Sequence, residues 1–182
     1  FLVTPVQIAK YTALMATGKS VTPHFLHSID NEIISFESAD VLTEFEKKQL
    51  PYVQKAMYDV ANSPRGTASR HFAATKVNVA AKTGTAQVVT ISQTEKKRMR
   101  EEDMKYLQRS HAWITAYAPY EDPEFVVSII VEHGGHGGSA AGPKASKIFD
   151  KLFEMGYIDV KFKKSQTQTK NAEAQNQGDS AF

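Results

Sequence analysis

The sequence predicts a mixed α/β (α+β) domain in which an antiparallel sheet packs between helices. Two observations carry this. Three strand-like runs follow one another in the second half, Val77 to Thr90, Ala112 to Ala118 and Phe125 to Glu132. Helical patterns flank them, at Thr4 to Ala16 and over 43–62 before and at Pro143 to Met155 after, so helices and an antiparallel sheet share one core. With 182 residues and 41% apolar content, the chain can bury that core.

Thr4-Pro5 opens the first helix, with Thr as N-cap and Pro where a missing N–H costs nothing. Val6, Ala9, Ala13, Leu14 and Ala16 make its apolar stripe, and Gly18 stops it. Val21 to Ile34 reads as extended, and Phe25 to Ile29 is its best strand candidate. Tyr52, Val53, Ala56, Met57 and Val60 recur at helical spacing, with Pro51 expected early in that helix. Asn62 to Gly66 breaks it, and a short helix is expected from Thr67 to Phe72.

Val77 to Thr90 is the next strand. Residues 93–109 alternate in charge at helical spacing, which predicts a solvated helix or flap between strands. Pro119-Tyr120-Glu121-Asp122-Pro123 turns the chain between the last two strands, expected as an antiparallel pair. His133 to Gly142 holds five glycines and reads as a flexible loop. The closing helix puts Ala145, Ile148, Phe149, Leu152 and Phe153 on one face, with Gly156 after it. Residues 163–182 carry almost no apolar side chains, so a disordered polar tail is expected there.

A net charge of +2 is too balanced to argue for nucleic acid. The absence of cysteine excludes disulfides and thiolate chemistry. No transmembrane run or signal peptide occurs, and the chain opens on Phe1 rather than Met. A longer protein is therefore expected, with any export signal or anchor upstream.

Lys82-Thr83-Gly84-Thr85, followed by Ala86-Gln87, is the chemically loaded stretch. A glycine inside a strand marks close approach of a ligand or another backbone. An extended peptide can add to such an edge as a further strand. Gly84 would make room for its backbone, and Thr83 and Thr85 would offer hydroxyls to a terminal carboxylate. Lys82 supplies positive charge. The N–H of Thr85, just after Gly84, suits one half of an oxyanion hole. Gln87 reads as a substrate contact or a polar strand residue.

Other candidates carry blander readings. His133-Gly134-Gly135-His136 is a poor metal pair without further ligands. His111 is a packed histidine or faces the cleft. Trp113, Tyr117, Tyr120 and Phe125 read as core and sheet-face residues. Arg65 and Arg70 are solvated, or hold an anionic group.

The ordered run of motifs resembles a class B penicillin-binding protein, in the C-terminal part of its transpeptidase domain. Val3-Thr4-Pro5-Val6-Gln7-Ile8-Ala9 resembles that family's helix motif, and Gly66-Thr67-Ala68 its Gly-Thr-Ala element. Lys82 to Gln87 matches Lys-Thr-Gly-Thr-Ala-Gln. His111 to Pro119 and Val131-Glu132-His133-Gly134-Gly135 match the next two strands. Within class B the elongation-type member is the most similar.

The resemblance implies the penicillin-binding protein and serine β-lactamase-like fold, represented by its C-terminal portion over 1–160. It implies a serine D,D-transpeptidase that cross-links peptidoglycan stem peptides, needs no cofactor or metal, and is acylated by β-lactam antibiotics. Lys82, Thr83, Gly84, Thr85 and Gln87 would bind substrate; Lys82 and the Thr85 N–H would also serve catalysis. A rod-complex scaffold protein and a membrane glycan polymerase are the implied partners, through upstream regions. The implied location is the inner membrane, with the catalytic domain in the periplasm. No serine begins Ser-x-x-Lys or Ser-x-Asn, so the nucleophile is expected upstream of Phe1 and this chain alone is expected to be inactive. A β-lactamase or D,D-carboxypeptidase of the same fold, or a non-catalytic β-lactam-binding sensor or scaffold domain, remain the alternative readings.

Overall fold

The computed structural model describes residues 2–88 and 100–162. Helix α1 spans Pro5–Thr17. The Thr4 hydroxyl accepts from the Gln7 N–H at its start, and the Gln7 side chain accepts from the Thr4 N–H at 2.8 Å. Gly18, with φ of 75°, closes it by donating its N–H to the Leu14 carbonyl at 2.8 Å.

The extended region holds less strand than expected. Only β1, Ser28–Ile29, and β2, Glu32–Ile33, pair, around Asp30 and Asn31 at positive φ. Asp and Asn tolerate that conformation, as two-residue hairpin turns require. Phe25 to His27 fall outside both strands, although the His27 carbonyl accepts from the Ile34 N–H at 2.9 Å.

Helix α2 spans Glu44–Asn62 behind a second reciprocal cap, Thr43 with Glu46. It starts well before Pro51, which is interior rather than early. The ring leaves the Lys47 carbonyl without its helical donor. Pro51 is exposed, so water can satisfy that carbonyl. The short helix α3 covers Ser69–Phe72 and not Thr67, because Gly66 to Ala68 form a tight turn. There the Ala68 N–H donates to the Val60 carbonyl and the Ser69 N–H to the Gly66 carbonyl, both at 3.1 Å.

Strand β3 is Ala80–Ala86, shorter than predicted at both ends; Val77 and Val79 are fully buried ahead of it, and residues 89–90 lie outside the described residues. Strands β4, His111–Ala118, and β5, Phe125–Val131, complete an antiparallel sheet in the order β3-β4-β5. Lys82 lies opposite Thr115, Gly84 opposite Trp113, and Ala86 opposite His111.

The charged segment forms no α-helix where it is described. Glu101–Asp103 and Tyr106–Gln108 are single 3-10 turns. Glu101 fixes the segment to the sheet, its carboxylate accepting from the Ser110 N–H at 2.8 Å and the Ser110 hydroxyl at 2.7 Å. The predicted tail, 163–182, and the first part of the charged segment lie outside the described residues.

The largest departure is helix α4, Gly137–Glu154, which begins inside the predicted glycine loop and carries Pro143 in its interior. Three of the loop's glycines, Gly137, Gly138 and Gly142, are helical, and packing explains them better than flexibility does. A Cβ on Gly137 would fall inside contact distance of the Trp113 and Gly84 carbonyl oxygens and 3.0 Å from the Gly84 nitrogen.

Helices cover both faces of the sheet. On one, Ala81, Ile114, Ala116 and Ala118 pack with Phe72 and with Ala141, Ala145 and Phe149 of α4. On the other, Ala80 and Tyr117 pack with Ala16 of α1 and Met57 of α2. There the buried Thr12 hydroxyl meets that of Thr115 at 2.6 Å and donates to the Ile8 carbonyl at 2.8 Å. Burial pushes the Tyr117 phenol far above its ordinary pKa.

Candidate functional site

Strand β3 is an edge strand: it pairs with β4 on one side and with no strand on the other among the described residues. An edge strand presents unpaired N–H and C=O groups along its open side. Its burial falls from Ala80 and Ala81, fully buried, to Lys82, Thr85 and Ala86, exposed. The polar half of the strand is therefore open while the apolar half is locked in the core.

Each residue of the stretch has a distinct setting. The Lys82 ammonium donates to the Thr83 carbonyl at 2.7 Å, lying along its own strand. Thr83 is half-buried on the α4 side, and its hydroxyl meets that of Thr67 at 3.0 Å. Thr67 is held by the turn at Gly66, where a Cβ would strike the Asp59 and Val60 carbonyls. Gly84 is crowded from two directions. A Cβ there would lie 3.2 Å from Trp113 Cβ, and the backbone of Gly84 lies so near Gly137 that a Cβ on Gly137 would strike the Gly84 carbonyl. Protein packing therefore favours a small residue at this position. Thr85 follows, exposed, and Gln87 lies just past the strand end, also exposed.

Lys82, Thr83, Gly84 and Thr85 are thereby brought together on one open edge, backed by Thr67 and the first turn of α4. The Thr67 contact was absent from the sequence reading, although Gly66-Thr67-Ala68 stood out as a motif. Its signal was the glycine, which fixes the turn that aims Thr67 at β3. Gly137 was hidden because five glycines within ten residues look like a loop.

Of the histidines, His111 accepts at Nδ1 from the His133 N–H at 2.9 Å, and the His133 ring lies edge-on to it. His133 Nδ1 in turn donates to the Arg109 carbonyl at 3.1 Å. The pair braces the start of β4 against the segment that follows β5. Arg70 donates to His71 Nε2 at 3.1 Å. Burial first, and Arg70 second, hold His71 below the ordinary histidine value.

A cavity of about 570 Å³ opens beside the site and not on it. Its walls include Arg100, Glu101, Glu102 and Arg109 on one side and His136 and Ser139 on the other.

The family model of the penicillin-binding protein transpeptidase domain matches residues 1–154. The chain belongs to the penicillin-binding protein transpeptidase family. The peptidoglycan D,D-transpeptidase MrdA of Haemophilus influenzae is 36% identical over 152 residues, covering 81% of this chain. MrdA of Acinetobacter baumannii is 35% identical over 155 residues, covering 82%. The chain spans about a quarter of those relatives' lengths, 23% and 22%.

Two solved structures place the type. Penicillin-binding protein 2 of Helicobacter pylori, in a complex with MreC, shares 44% identity at a TM-score of 0.72, over 87% of this chain and 26% of that one. Penicillin-binding protein 2 of Pseudomonas aeruginosa, in complex with WCK 5153, shares 25% identity at a TM-score of 0.65, over 91% of this chain and 33% of that one. The chain is thus a portion of a class B transpeptidase domain of the penicillin-binding protein 2 type. Among its described residues no helix is long and apolar enough to cross a membrane.

Proposed function

We propose that this chain forms one wall of the active site of a peptidoglycan D,D-transpeptidase. The observation that carries the reading is the open polar half of β3, with Lys82 and Thr85 exposed and Thr83 half-buried on an edge that no other strand covers among the described residues. A donor stem peptide adds along this edge as an antiparallel strand. Its terminal carboxylate meets the Lys82 ammonium and the Thr83 hydroxyl, which Thr67 orients. The carbonyl under attack then lies by Thr85, whose N–H supports the oxyanion.

The serine that attacks the penultimate D-Ala carbonyl comes from the part of the protein outside this sequence. It expels D-Ala and passes the acyl group to an amine of a second strand. A β-lactam acylates the same serine. Membrane anchoring, periplasmic placement, and association with a rod-complex scaffold protein and a glycan polymerase belong to the complete protein.

The test is D-Ala release from a D-Ala-D-Ala donor by the full-length protein and by this chain alone. The full-length protein should turn over and this chain should not. Release by this chain, or none by a folded full-length protein, would refute the proposal.

A further inference from the structure

The cavity beside β3 has a chemistry that the reacting D-Ala-D-Ala group does not use. Its two carboxylates are engaged: Glu101 by Ser110, and Glu102 by Arg100 at 2.7 Å. Arg109 differs. It is half-buried, donates only to the Met104 carbonyl at 3.2 Å and the Glu102 carbonyl at 3.5 Å, and has no carboxylate partner among the described residues. Across the cavity, the His136 ring makes no hydrogen bond among the described residues, and the Ser139 hydroxyl, which donates to the His136 carbonyl at 3.2 Å, keeps acceptor capacity and sits beside it. A guanidinium with no carboxylate partner among the described residues favours an anion over an amine, and the His136 ring can add a donor.

Its position follows from the register. Ala86 lies opposite His111, Ser110 precedes His111, and the Ser110 carbonyl accepts from the Gly135 N–H at 2.8 Å. The cavity therefore sits at the Ala86 end of β3. A donor whose carboxylate is at Lys82 and Thr83, running antiparallel to β3, sends its preceding residue past Thr85 toward that end. Strands rise about 3.3 Å per residue, so the residue before D-Ala-D-Ala lies within about 7 Å of Thr85, at Ala86 and Gln87.

We infer that the cavity between residues 100–109 and the start of α4 is a specificity subsite for a side-chain carboxylate on the donor residue preceding D-Ala-D-Ala, with Arg109 and His136 as its ligands. This rests on the transpeptidase reading of β3.

The experiment uses the full-length protein and two acylated tripeptide donors, 2-aminoadipyl-D-Ala-D-Ala and the same peptide with its side-chain carboxylate amidated. The readout is the ratio of kcat/KM values for D-Ala release. The wild type should prefer the free carboxylate roughly tenfold, as one charge-assisted hydrogen bond allows. Arg109→Gln should reduce the ratio to about twofold or less. Because Arg109 also holds carbonyls of its own segment, His136→Ala is the second variant, and it should lower the ratio without touching those bonds. Taking a ratio cancels any general loss of activity. Equal turnover of both donors by the wild type, or an undiminished ratio in both variants, would overturn the subsite while leaving the β3 reading intact. Turnover of neither donor by folded wild type would overturn both.

Discussion

Replacing Gly137 by alanine should loosen the seam between α4 and the sheet and slow acylation with it. The new Cβ would fall inside contact distance of the Trp113 and Gly84 carbonyl oxygens and 3.0 Å from the Gly84 nitrogen. These are backbone atoms of paired strands, and no rotamer change removes them. The first turn of α4 would have to recede by roughly 1 Å, disturbing the packing of Ala141, Ala145 and Phe149, all fully buried. Overpacking of this kind costs about 1–3 kcal/mol. The better helix propensity of alanine returns at most about 1 kcal/mol, and less at a helix end. The net loss is then about 1–2 kcal/mol, a fall in Tm of roughly 2–8 °C for a domain of this size. Thermal melting of the full-length protein measures it, and labelling by a fluorescent penicillin measures the effect on β3. Lys147→Ala, exposed on the same helix, is the control and should change neither. A Gly137→Ala protein that melts and labels like wild type would refute the close-packing argument.

Three further outcomes follow from buried or perturbed groups. Thr12→Val leaves the Thr115 hydroxyl without its 2.6 Å partner and should cost about 1–3 kcal/mol; adding Thr115→Val should cost less than the sum, which a double-mutant cycle reads directly. Phe149→Ala removes a fully buried ring between α4 and the sheet and should cost about 3–5 kcal/mol in denaturant unfolding. His71 is held below its ordinary value of 6.5, so the folded state binds its proton less readily than the unfolded state. Its contribution is present above pH 6.5 and is lost as pH falls below it, and His71→Gln should flatten the dependence of Tm on pH in that range.

What could be read from the chain depended on whether the signal was local. Thr4-Pro5 and Gly18 bound α1 because caps act within one turn, and the three strand runs appeared because their apolar content is continuous. Thr43, the N-cap, lies nine residues upstream of Tyr52, where the stripe that marks α2 begins, so Pro51 looked like an early rather than an interior residue. Phe25 to Ile29 has strand composition but no partner over most of its length, and pairing is not encoded in composition. The glycines of α4 answer to Gly84, Thr67 and His71, residues far away in sequence, and only the folded packing reveals why they are there. The Lys82–Thr85 stretch was legible for its chemistry. Its support by Thr67 and its neighbouring cavity were not, since both are made by tertiary contacts.

The central claim is that β3 holds the donor carboxylate through Lys82 and Thr83, and penicillin acylation rates of Lys82→Ala and Thr83→Val in the full-length protein test it most directly. Lys82 is exposed and Thr83 is half-buried, and neither belongs to the apolar core, so Tm should stay within a degree or two of wild type. Each should acylate about a hundredfold more slowly, the equivalent of about 2–3 kcal/mol for a lost charge-assisted hydrogen bond. Wild-type acylation rates in both folded variants would contradict the account and reduce β3 to a structural edge strand.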